Sequence, residues 1–245
     1  MYVDAHCHIE DKGFNKNRDE VIKRAKSENV IIITSGVTLG GINRALELKN
    51  KYNIYLTLGF HPDKVKADNK IIEKAYNIIK SNYKKILAVG EIGMDIKREN
   101  YDRQEEIFRK FLNLAKEIDK PVVLHARGFE EKIFNMLDVP AMFHCYSGSV
   151  ELAKKIVKEN YYISISTLLL FSKLHEEIVK NVDIDFLLTE TDSPCLSPIK
   201  GEKNEPKNVK LVVKKIAEIK EIDEGEVKKI IYKNSCKFFK EKLTL

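Results

Sequence analysis

YVDAHCHI, residues 2–9, is a short and mostly apolar run that ends on two histidines, His6 and His8. Short apolar runs bounded by polar residues are typical of buried β-strands. The histidines are two positions apart, so on a strand both imidazoles point to the same side. Imidazole is a common ligand of divalent metals, although a His-x-His pair alone is a weak indication of a metal site. The rest of the chain decides how the pair is interpreted.

Seven further apolar runs follow, and between them lie segments with helical periodicity. The predicted strands are 2–7, 30–35, 54–60, 86–92, 122–126, 141–145, 161–166 and 186–191. The clearest helix is 102–118, where apolar residues recur on one face. The other predicted helices are 17–28, 40–51, 68–82, 129–137, 149–159, 172–181, 206–219 and 224–240.

The order and spacing of these elements predict an α/β protein with the (β/α)8 TIM-barrel fold. The strands are apolar throughout, which indicates a parallel sheet covered on both faces. A chain of 245 residues matches the length of about 250 that is typical of this barrel. No linker stands out, so we expect a single domain over 1–245. An open, doubly wound parallel sheet is the alternative fold.

Composition narrows the class of protein. Hydrophobic residues make up 43% of the chain and charged residues 33%, as in a globular protein with a charged surface. No apolar run approaches the ~20 residues that span a bilayer, and no signal-peptide pattern is present, so we expect a cytoplasmic protein without membrane contact. The four cysteines are far apart and are expected to be reduced thiols. The net charge of +6 is compatible with a polyanionic substrate, and no obligate protein partner is evident.

Five of the six histidines lie at or just beyond the end of a predicted strand. Besides the opening pair, these are His61, His125 and His144. Only His175 falls on a predicted helix, where we expect a surface or helix-packing histidine. Because the C-terminal ends of barrel strands meet at one face, this distribution indicates a shared site.

Two acidic residues occupy equivalent positions, Glu91 at the end of the fourth strand and Asp192 at the end of the eighth. Gly90 and Gly93 flank the glutamate, and small residues would let the strand end approach ions closely. The alternative for Glu91 is a lone acid that pairs with a lysine or a helix N-terminus. A single catalytic zinc takes about three protein ligands, so this larger set predicts a binuclear site. The candidate metal ligands are His6, His8, Glu91, His125, His144 and Asp192.

Three other acids lie near the predicted site. Glu190 shares a face with Asp192 but lies deeper in the barrel, so we expect it to orient a ligand histidine. Asp4 would share the face of His6 and either act in the same way or cap the barrel bottom. For Asp95 we favour a role as a turn or helix cap.

Seven short motifs occur in order along nearly the whole chain. They are DAHCHI (4–9), GFHP (59–62), GEIGMD (90–95), HAR (125–127), FHCYSGS (143–149), ETDSP (190–194) and NEP (204–206). Together they resemble the TatD family of metal-dependent deoxyribonucleases, within the amidohydrolase-like barrels. The resemblance implies activity on DNA. It also implies that Glu91 bridges two metal ions, one bound by His6, His8 and Asp192 and the other by His125 and His144.

Substrate contacts are expected from His61 and Arg127. Arg127 shares the face of His125 and offers a bidentate fork for a phosphate, or else forms a structural salt bridge. His61 either grips the phosphate or stands on the rim without contact. Two departures from the family pattern lie in this rim. Asp63 stands where many members have a histidine, and Gly128 where many have an acid, which bears on substrate preference and not on the metal site.

The predicted function is metal-dependent hydrolysis of the phosphodiester bonds of DNA. Two metals about 3.5–4 Å apart can share a hydroxide and polarise a phosphodiester oxygen. Asp192 would accept the proton of the attacking water, so Asp192 and Glu91 are the candidate catalytic residues. Four imidazoles favour Zn²⁺, Mn²⁺ or Ni²⁺ on ligand softness, whereas the family resemblance suggests Mg²⁺.

Two alternatives remain open at this point. One is an enzyme of the amidohydrolase superfamily that acts on a small ester, lactone, amide or phosphotriester. Many such enzymes bridge their metals with a carboxylated lysine at a strand end, a position that Glu91 takes here, while Lys120 precedes its strand. The other is a non-catalytic module that binds metal or nucleic acid. The natural substrate and the choice between exo- and endonuclease cleavage are left open.

Overall fold

Eight parallel strands follow one another around a single sheet in the computed structural model, which describes residues 1–245. Each strand pairs with the next one along the chain. This order confirms the predicted (β/α)8 barrel. It excludes the doubly wound sheet, because strand order reverses at a switch point in that fold.

All eight predicted strands are present, and most are shorter at their ends than predicted. They are β1 (Tyr2–Cys7), β2 (Val30–Gly36), β3 (Tyr55–Leu58), β4 (Ala88–Gly93), β5 (Val122–His125), β6 (Ala141–Phe143), β7 (Tyr162–Ile165) and β8 (Leu187–Thr189). The short strands leave several of the predicted site residues on the loops just beyond them.

All nine predicted helices are also present. They are α1 (Arg18–Ser27), α2 (Leu39–Tyr52), α3 (Asn69–Ser81), α4 (Tyr101–Glu117), α5 (Glu130–Phe134), α6 (Val150–Lys158), α7 (Lys173–Asn181), α8 (Val209–Lys220) and α9 (Glu224–Phe239). The largest difference is α5, which ends early because its last turn tightens into bonds between residues three apart. None of these helices combines the length and the apolar character needed to cross a membrane.

The barrel interior is closed at the end where the strands begin. A cluster of 13 buried residues joins side chains from seven strands to three from the C-terminal segment, Phe238, Phe239 and Leu243. A larger cluster of 41 buried residues lies mainly between the strands and the surrounding helices. The interior is therefore filled at the bottom and open at the C-terminal ends of the strands, where the predicted site residues lie.

The seam between β8 and β1 closes the barrel through side chains as well as backbone. The Asp192 amide donates to the His6 carbonyl at 3.1 Å. The buried Asp4 carboxylate accepts from both the amide and the hydroxyl of Thr191, at 2.8 and 2.6 Å. The expectation that Asp4 orients a ligand histidine or caps the barrel bottom was wrong. A bulge in β1 after Asp4 breaks the alternation, so this side chain and His6 do not share a face.

Replacing Asp4 with Ala should lower the free energy of unfolding by about 2 kcal/mol, because two buried donors of Thr191 lose their acceptor. The midpoint of urea unfolding measures the loss. Asp138→Ala is the matched control, since its carboxylate is 58% exposed and pairs with Lys116 at the surface. A loss no larger than that of the control would show that Asp4 does not secure the seam.

Candidate metal centre

The predicted site residues converge at the C-terminal end of the barrel. A cavity of about 500 Å³ opens there, lined by side chains from the loops that follow the strands. His6 lies fully buried beneath the cavity. The other predicted residues line it directly: His8, His61, Glu91, His125, Arg127, His144 and Asp192.

Glu91 lies at the centre of this arrangement and is 2% exposed. Its Oε2 atom lies 3.5 Å from His6 Nε2 and 3.7 Å from His8 Nε2. Its Oε1 atom lies 2.7 Å from His125 Nδ1 and 3.3 Å from His144 Nε2. The two oxygens of one carboxylate thus face two separate pairs of imidazoles.

A β-bulge aims Glu91 into the cavity. The register between β4 and β5 gains one residue between Gly90 and Ile92, and Glu91 is that extra residue. β1 carries the same irregularity around His6. Bulges occur next to active sites because they re-aim a side chain. The bulges therefore set the direction of the His6 and Glu91 side chains. A regular alternation of side chains along each strand does not predict that direction.

The glycines beside Glu91 serve the packing of two strands. A Cβ on Gly93, which has a φ of +145°, would lie 1.9 Å from the His125 carbonyl oxygen. A Cβ on Gly90 would lie 2.5 Å from the Cβ of Val123. The sequence suggested that these glycines let the strand end approach ions. In the structure they let β5 approach β4, which brings the His125 ring to Glu91.

Asp192 completes the side of the cluster that contains the opening histidine pair. Its Oδ1 atom lies 3.5 Å from His8 Nε2 and 3.9 Å from His6 Nε2. The residue has a φ of +54°, and its backbone amide donates a hydrogen bond to the His6 carbonyl, which fixes it against β1. Its side chain is 18% exposed, so one edge of this carboxylate faces the cavity.

A hydrogen bond on the outer edge of the His8 ring decides which of its nitrogens faces inward. His8 Nδ1 lies 3.0 Å from the carbonyl oxygen of Ser35, which can only accept. The proton of neutral His8 therefore resides on Nδ1, and the Nε2 lone pair faces Glu91 and Asp192. Glu10 Oε1, at 3.4 Å, supports the same tautomer.

Each imidazole of the second pair lies beside a buried carboxylate. His125 Nε2 lies 3.0 Å from Asp95 Oδ2, and His144 Nδ1 lies 3.0 Å from Glu190 Oε1. Glu190 thus stands where it can orient a histidine, as expected. Asp95 does accept the Lys97 amide as a turn cap, but the cap role alone was an incomplete interpretation, because its other oxygen contacts His125.

The donor set suits divalent cations. The inward nitrogens of His8 and His125 and the carboxylates of Glu91 and Asp192 are acceptors, and a positive ion between them would satisfy these acceptors together. Glu91, through its two oxygens, belongs to two of the triads whose ligand atoms lie within 4.8 Å of one another. The three triads are His6, His8 and Glu91; His6, His144 and Asp192; and His61, Glu91 and His125.

His61 contacts the cluster and does not stand apart on the rim. Its Nε2 atom lies 3.3 Å from Glu91 Oε1 and 3.2 Å from His125 Nδ1. Its Nδ1 atom accepts the Asp63 amide at 3.0 Å, so the proton resides on Nε2. In this tautomer His61 is a hydrogen-bond donor beside the cluster. Its strand-end position had indicated a place in the shared site, but not this closeness to Glu91 and His125.

Arg127 stands on the rim with 52% of its side chain exposed. One guanidinium nitrogen lies 3.4 Å from Asp95 Oδ2, a long contact that leaves the rest of the fork free. Its neighbour Gly128 has a φ of +74°, and a Cβ there would lie 2.6 Å from Ile96 Cγ2. The glycine therefore leaves room for the loop after β4, where many family members carry an acid.

Electrostatics in the cluster favour bound positive charge. Burial would raise the pKa of Glu91, but His61 and His144 outweigh it and hold the pKa well below its usual range. Burial likewise opposes protonation of His8, yet Asp192 and Glu10 raise its pKa well above the usual value. Protons and metal ions thus compete for the same nitrogens, so metal affinity should fall as the pH is lowered.

Asp95→Asn should weaken the binding of one metal ion by about 10- to 100-fold, the usual effect of losing a carboxylate behind a ligand histidine. The expected result follows from its 3.0 Å contact with His125 Nε2. Titration calorimetry on apoprotein should show one site weakened and the other nearly unchanged. If each site binds metal in the variant as tightly as it does in the parent protein, Asp95 does not have this role.

Comparison with known proteins identifies the lineage of this site. The family model described as TatD related DNase matches residues 3–240. The chain belongs to the TatD family. Since the match spans nearly the whole barrel, the resemblance seen in the seven motifs is confirmed.

Individual TatD relatives agree with this assignment. An uncharacterized metal-dependent hydrolase of Methanocaldococcus jannaschii is 69% identical over 244 residues, covering 99% of this chain and 98% of the relative. The human deoxyribonuclease TATDN3 is 28% identical, covering 97% and 94%. The crystal structure of the TatD homologue YjjV from Escherichia coli superposes with a TM-score of 0.90 at 26% identity, covering 98% of both chains. The chain is a metal-dependent hydrolase of the TatD family.

Proposed function

We propose that this TatD-family hydrolase cleaves the phosphodiester bonds of DNA at a binuclear metal site. The observation that carries the proposal is Glu91, whose two oxygens face separate pairs of histidines. A shared carboxylate of this kind suits a two-ion site, and such sites are common in nucleases and phosphatases. A human relative that bears the name deoxyribonuclease supports the choice of substrate.

The residues that would hold the ions divide around Glu91. His6, His8 and Asp192 would bind one ion, and His125 and His144 the other. When bound, two divalent cations would lower the pKa of a water toward neutrality and withdraw charge from the scissile phosphate.

Asp192 is the candidate acceptor of the proton released by the attacking water. Burial opposes its ionisation, but the hydrogen bond with His8 and the nearby imidazole charges lower its pKa. The carboxylate is therefore ionised at neutral pH and has an edge open to the cavity. A base in this state accepts a proton without first losing one.

His61 and Arg127 are the candidate donors to the phosphate. The Nε2 proton of His61 points at the cluster, and the Arg127 fork is half exposed at the rim. Guanidinium groups bind phosphate oxygens bidentately. These two donors, on the loops after β3 and β5, would fix the phosphate beside the ions and stabilise its growing charge.

The rim of the cavity carries the charge that a polyanion needs. Five basic side chains line it, four from the loops after β1, β3, β4 and β5 and one from α2: Lys12, Arg44, Lys64, Arg98 and Arg127. Besides Asp95 and the candidate ligands, four acids line the cavity among them, Glu10, Asp11, Asp63 and Glu130, and Asp63 pairs with Arg98. Lys12 and Lys64 stand without a carboxylate partner. A chain of phosphates fits this rim better than a small neutral ester or lactone.

A side-by-side assay tests the proposal. Single-stranded DNA, a nucleotide phosphodiester and a small lactone are offered to the same preparation, with metal content measured. We expect the two phosphodiesters to be hydrolysed, with the DNA preferred. Rapid lactone hydrolysis without cleavage of either phosphodiester would overturn the nuclease assignment in favour of the amidohydrolase alternative.

Removal of metal should abolish hydrolysis and leave the fold largely intact, because the apolar clusters of the barrel lie away from the candidate ligands. Dialysis against a chelator, followed by circular dichroism and the DNA assay, separates the two effects. Add-back of Zn²⁺, Mn²⁺, Ni²⁺ and Mg²⁺ in turn should restore turnover to different extents. Full activity in metal-free protein would rule out the mechanism.

A further inference from the structure

The most exposed large hydrophobic side chains of the protein gather at the end of the barrel that holds the cavity. Phe171, Ile96 and Ile199 are 67%, 52% and 51% exposed, more than any other large hydrophobic residue, termini included. Each stands on a loop that follows a strand, namely β7, β4 or β8. Water contact with apolar surface is unfavourable, so three such residues at one end of the fold indicate a binding surface.

Phe171 and Ile199 lie on neighbouring loops, and each of these loops also contributes a leucine to the cavity lining. Leu168, on the same loop as Phe171, lines the cavity, and so does Leu196, on the same loop as Ile199. The Phe171 amide donates to the Leu168 carbonyl at 3.0 Å, which fixes one to the other. We call these four residues, Leu168, Phe171, Leu196 and Ile199, the apolar rim.

Buried hydrogen bonds hold the two loops of the apolar rim together. The Asn204 side-chain amide is fully buried and donates to Thr167 Oγ1 at 3.1 Å and to the Leu196 carbonyl at 3.1 Å. Thr167 Oγ1 donates to the same carbonyl at 2.5 Å. Leu196 itself has a φ of +55°. These bonds hold the two loops in a fixed arrangement, and a rigid surface loses little entropy when a ligand binds.

The basic side chains and the apolar rim come from different parts of the barrel. Of the five basic side chains that line the cavity, four lie on the loops after β1, β3, β4 and β5, and Arg44 lies on α2. Among the cavity-lining residues beyond β6, Asp192 is the single charged one besides the candidate ligand His144. A nucleic acid strand presents the same two chemistries, phosphates along one edge and flat apolar bases along the other.

We propose that the apolar rim, with Phe171 as its platform, is a subsite for an unpaired nucleobase next to the scissile phosphodiester. The inference rests on the proposed function, since it places a DNA base beside the metal cluster. Aromatic side chains stack on any base, because every base has a π-face. The subsite therefore recognises the presence of a base and leaves its identity free.

The test compares two single-stranded oligonucleotides, one with a full set of bases and one with abasic residues beside the cleaved bond. The measured quantity is the ratio of their kcat/KM values. For the parent protein we expect a ratio of about 10 or more in favour of the base-bearing strand, as stacking of one base provides. Phe171→Ala combined with Ile199→Ala should bring the ratio close to 1, and Phe171→Tyr should retain it.

Leu211→Ala is the matched control, since Leu211 is 40% exposed on α8 and lies outside the cavity lining. It should leave the ratio unchanged. A ratio near 1 in the parent protein, or a high ratio that persists in the Phe171 and Ile199 variant, would overturn the subsite while DNA cleavage stands. Failure of the parent protein to cleave either oligonucleotide would overturn the proposed function and the subsite with it.

Discussion

Glu91→Gln should reduce the metal content from two ions to one or none and lower turnover on DNA by well over 100-fold. The amide keeps one oxygen but replaces the other with a nitrogen that donates and does not bind a cation. Either orientation therefore deprives one pair of imidazoles of its carboxylate oxygen. The expected loss exceeds the 10- to 100-fold effect of residues that only support a ligand. Elemental analysis and single-turnover kinetics measure both quantities.

A matched control separates this effect from a general loss of negative charge. Glu151→Gln changes an exposed glutamate in the first turn of α6, away from the cavity lining. It should leave metal content and turnover unchanged. Normal turnover in Glu91→Gln, or two ions retained with full affinity, would show that Glu91 is not shared between two metals.

Asp192→Asn should lower kcat on DNA by about 10²–10⁴-fold, the range expected for loss of a general base. The amide cannot take up the proton of the attacking water, and it removes a negative charge from beside His6 and His8. Because asparagine keeps an oxygen for coordination, we expect kcat to fall further than metal occupancy. Steady-state kinetics at saturating metal measure the loss of kcat separately from any loss of metal occupancy. Oligonucleotide binding is measured in parallel.

The matched control for this variant is Asp138→Asn, which alters a surface carboxylate that pairs with Lys116. We expect Asp138→Asn to have the same kcat as the parent protein. A kcat within tenfold of the parent for Asp192→Asn, at full metal occupancy, would remove Asp192 from the proton transfer and leave it at most a ligand.

Much of this architecture was predictable because barrel topology converts sequence position into spatial position. Strand ends that are far apart in the chain meet at one face, so histidines and acids at those ends come together. That reasoning placed Glu91, His125, His144 and Asp192 in one cluster without knowledge of any distance. The seven ordered motifs then supplied the family, which the family model confirms.

Other features depend on departures from regular strands, which alternation cannot predict. The bulges in β1 and β4 turn His6 and Glu91 inward and Asp4 toward the seam. Asp95 was interpreted as a turn or helix cap, a role that aspartate has in many loops. Its contact with His125 depends on the close approach of β4 and β5.

The sequence pattern also does not predict contacts between loops that are distant in the chain. Asn204 precedes Pro206, an arrangement typical of a helix start, yet its side chain makes no cap. A three-residue 3-10 turn at Pro206–Asn208 comes first, and α8 begins at Val209. The Asn204 amide instead ties the loops after β7 and β8 together.

Anomalous diffraction at a metal absorption edge, from crystals grown with Zn²⁺ or Mn²⁺, is the most direct test of the central claim. Two anomalous peaks are expected, one beside each oxygen of Glu91. The first should be bound by His6, His8 and Asp192, and the second by His125 and His144. A single peak, or two peaks with Glu91 bound to neither, would contradict a binuclear centre built around this carboxylate.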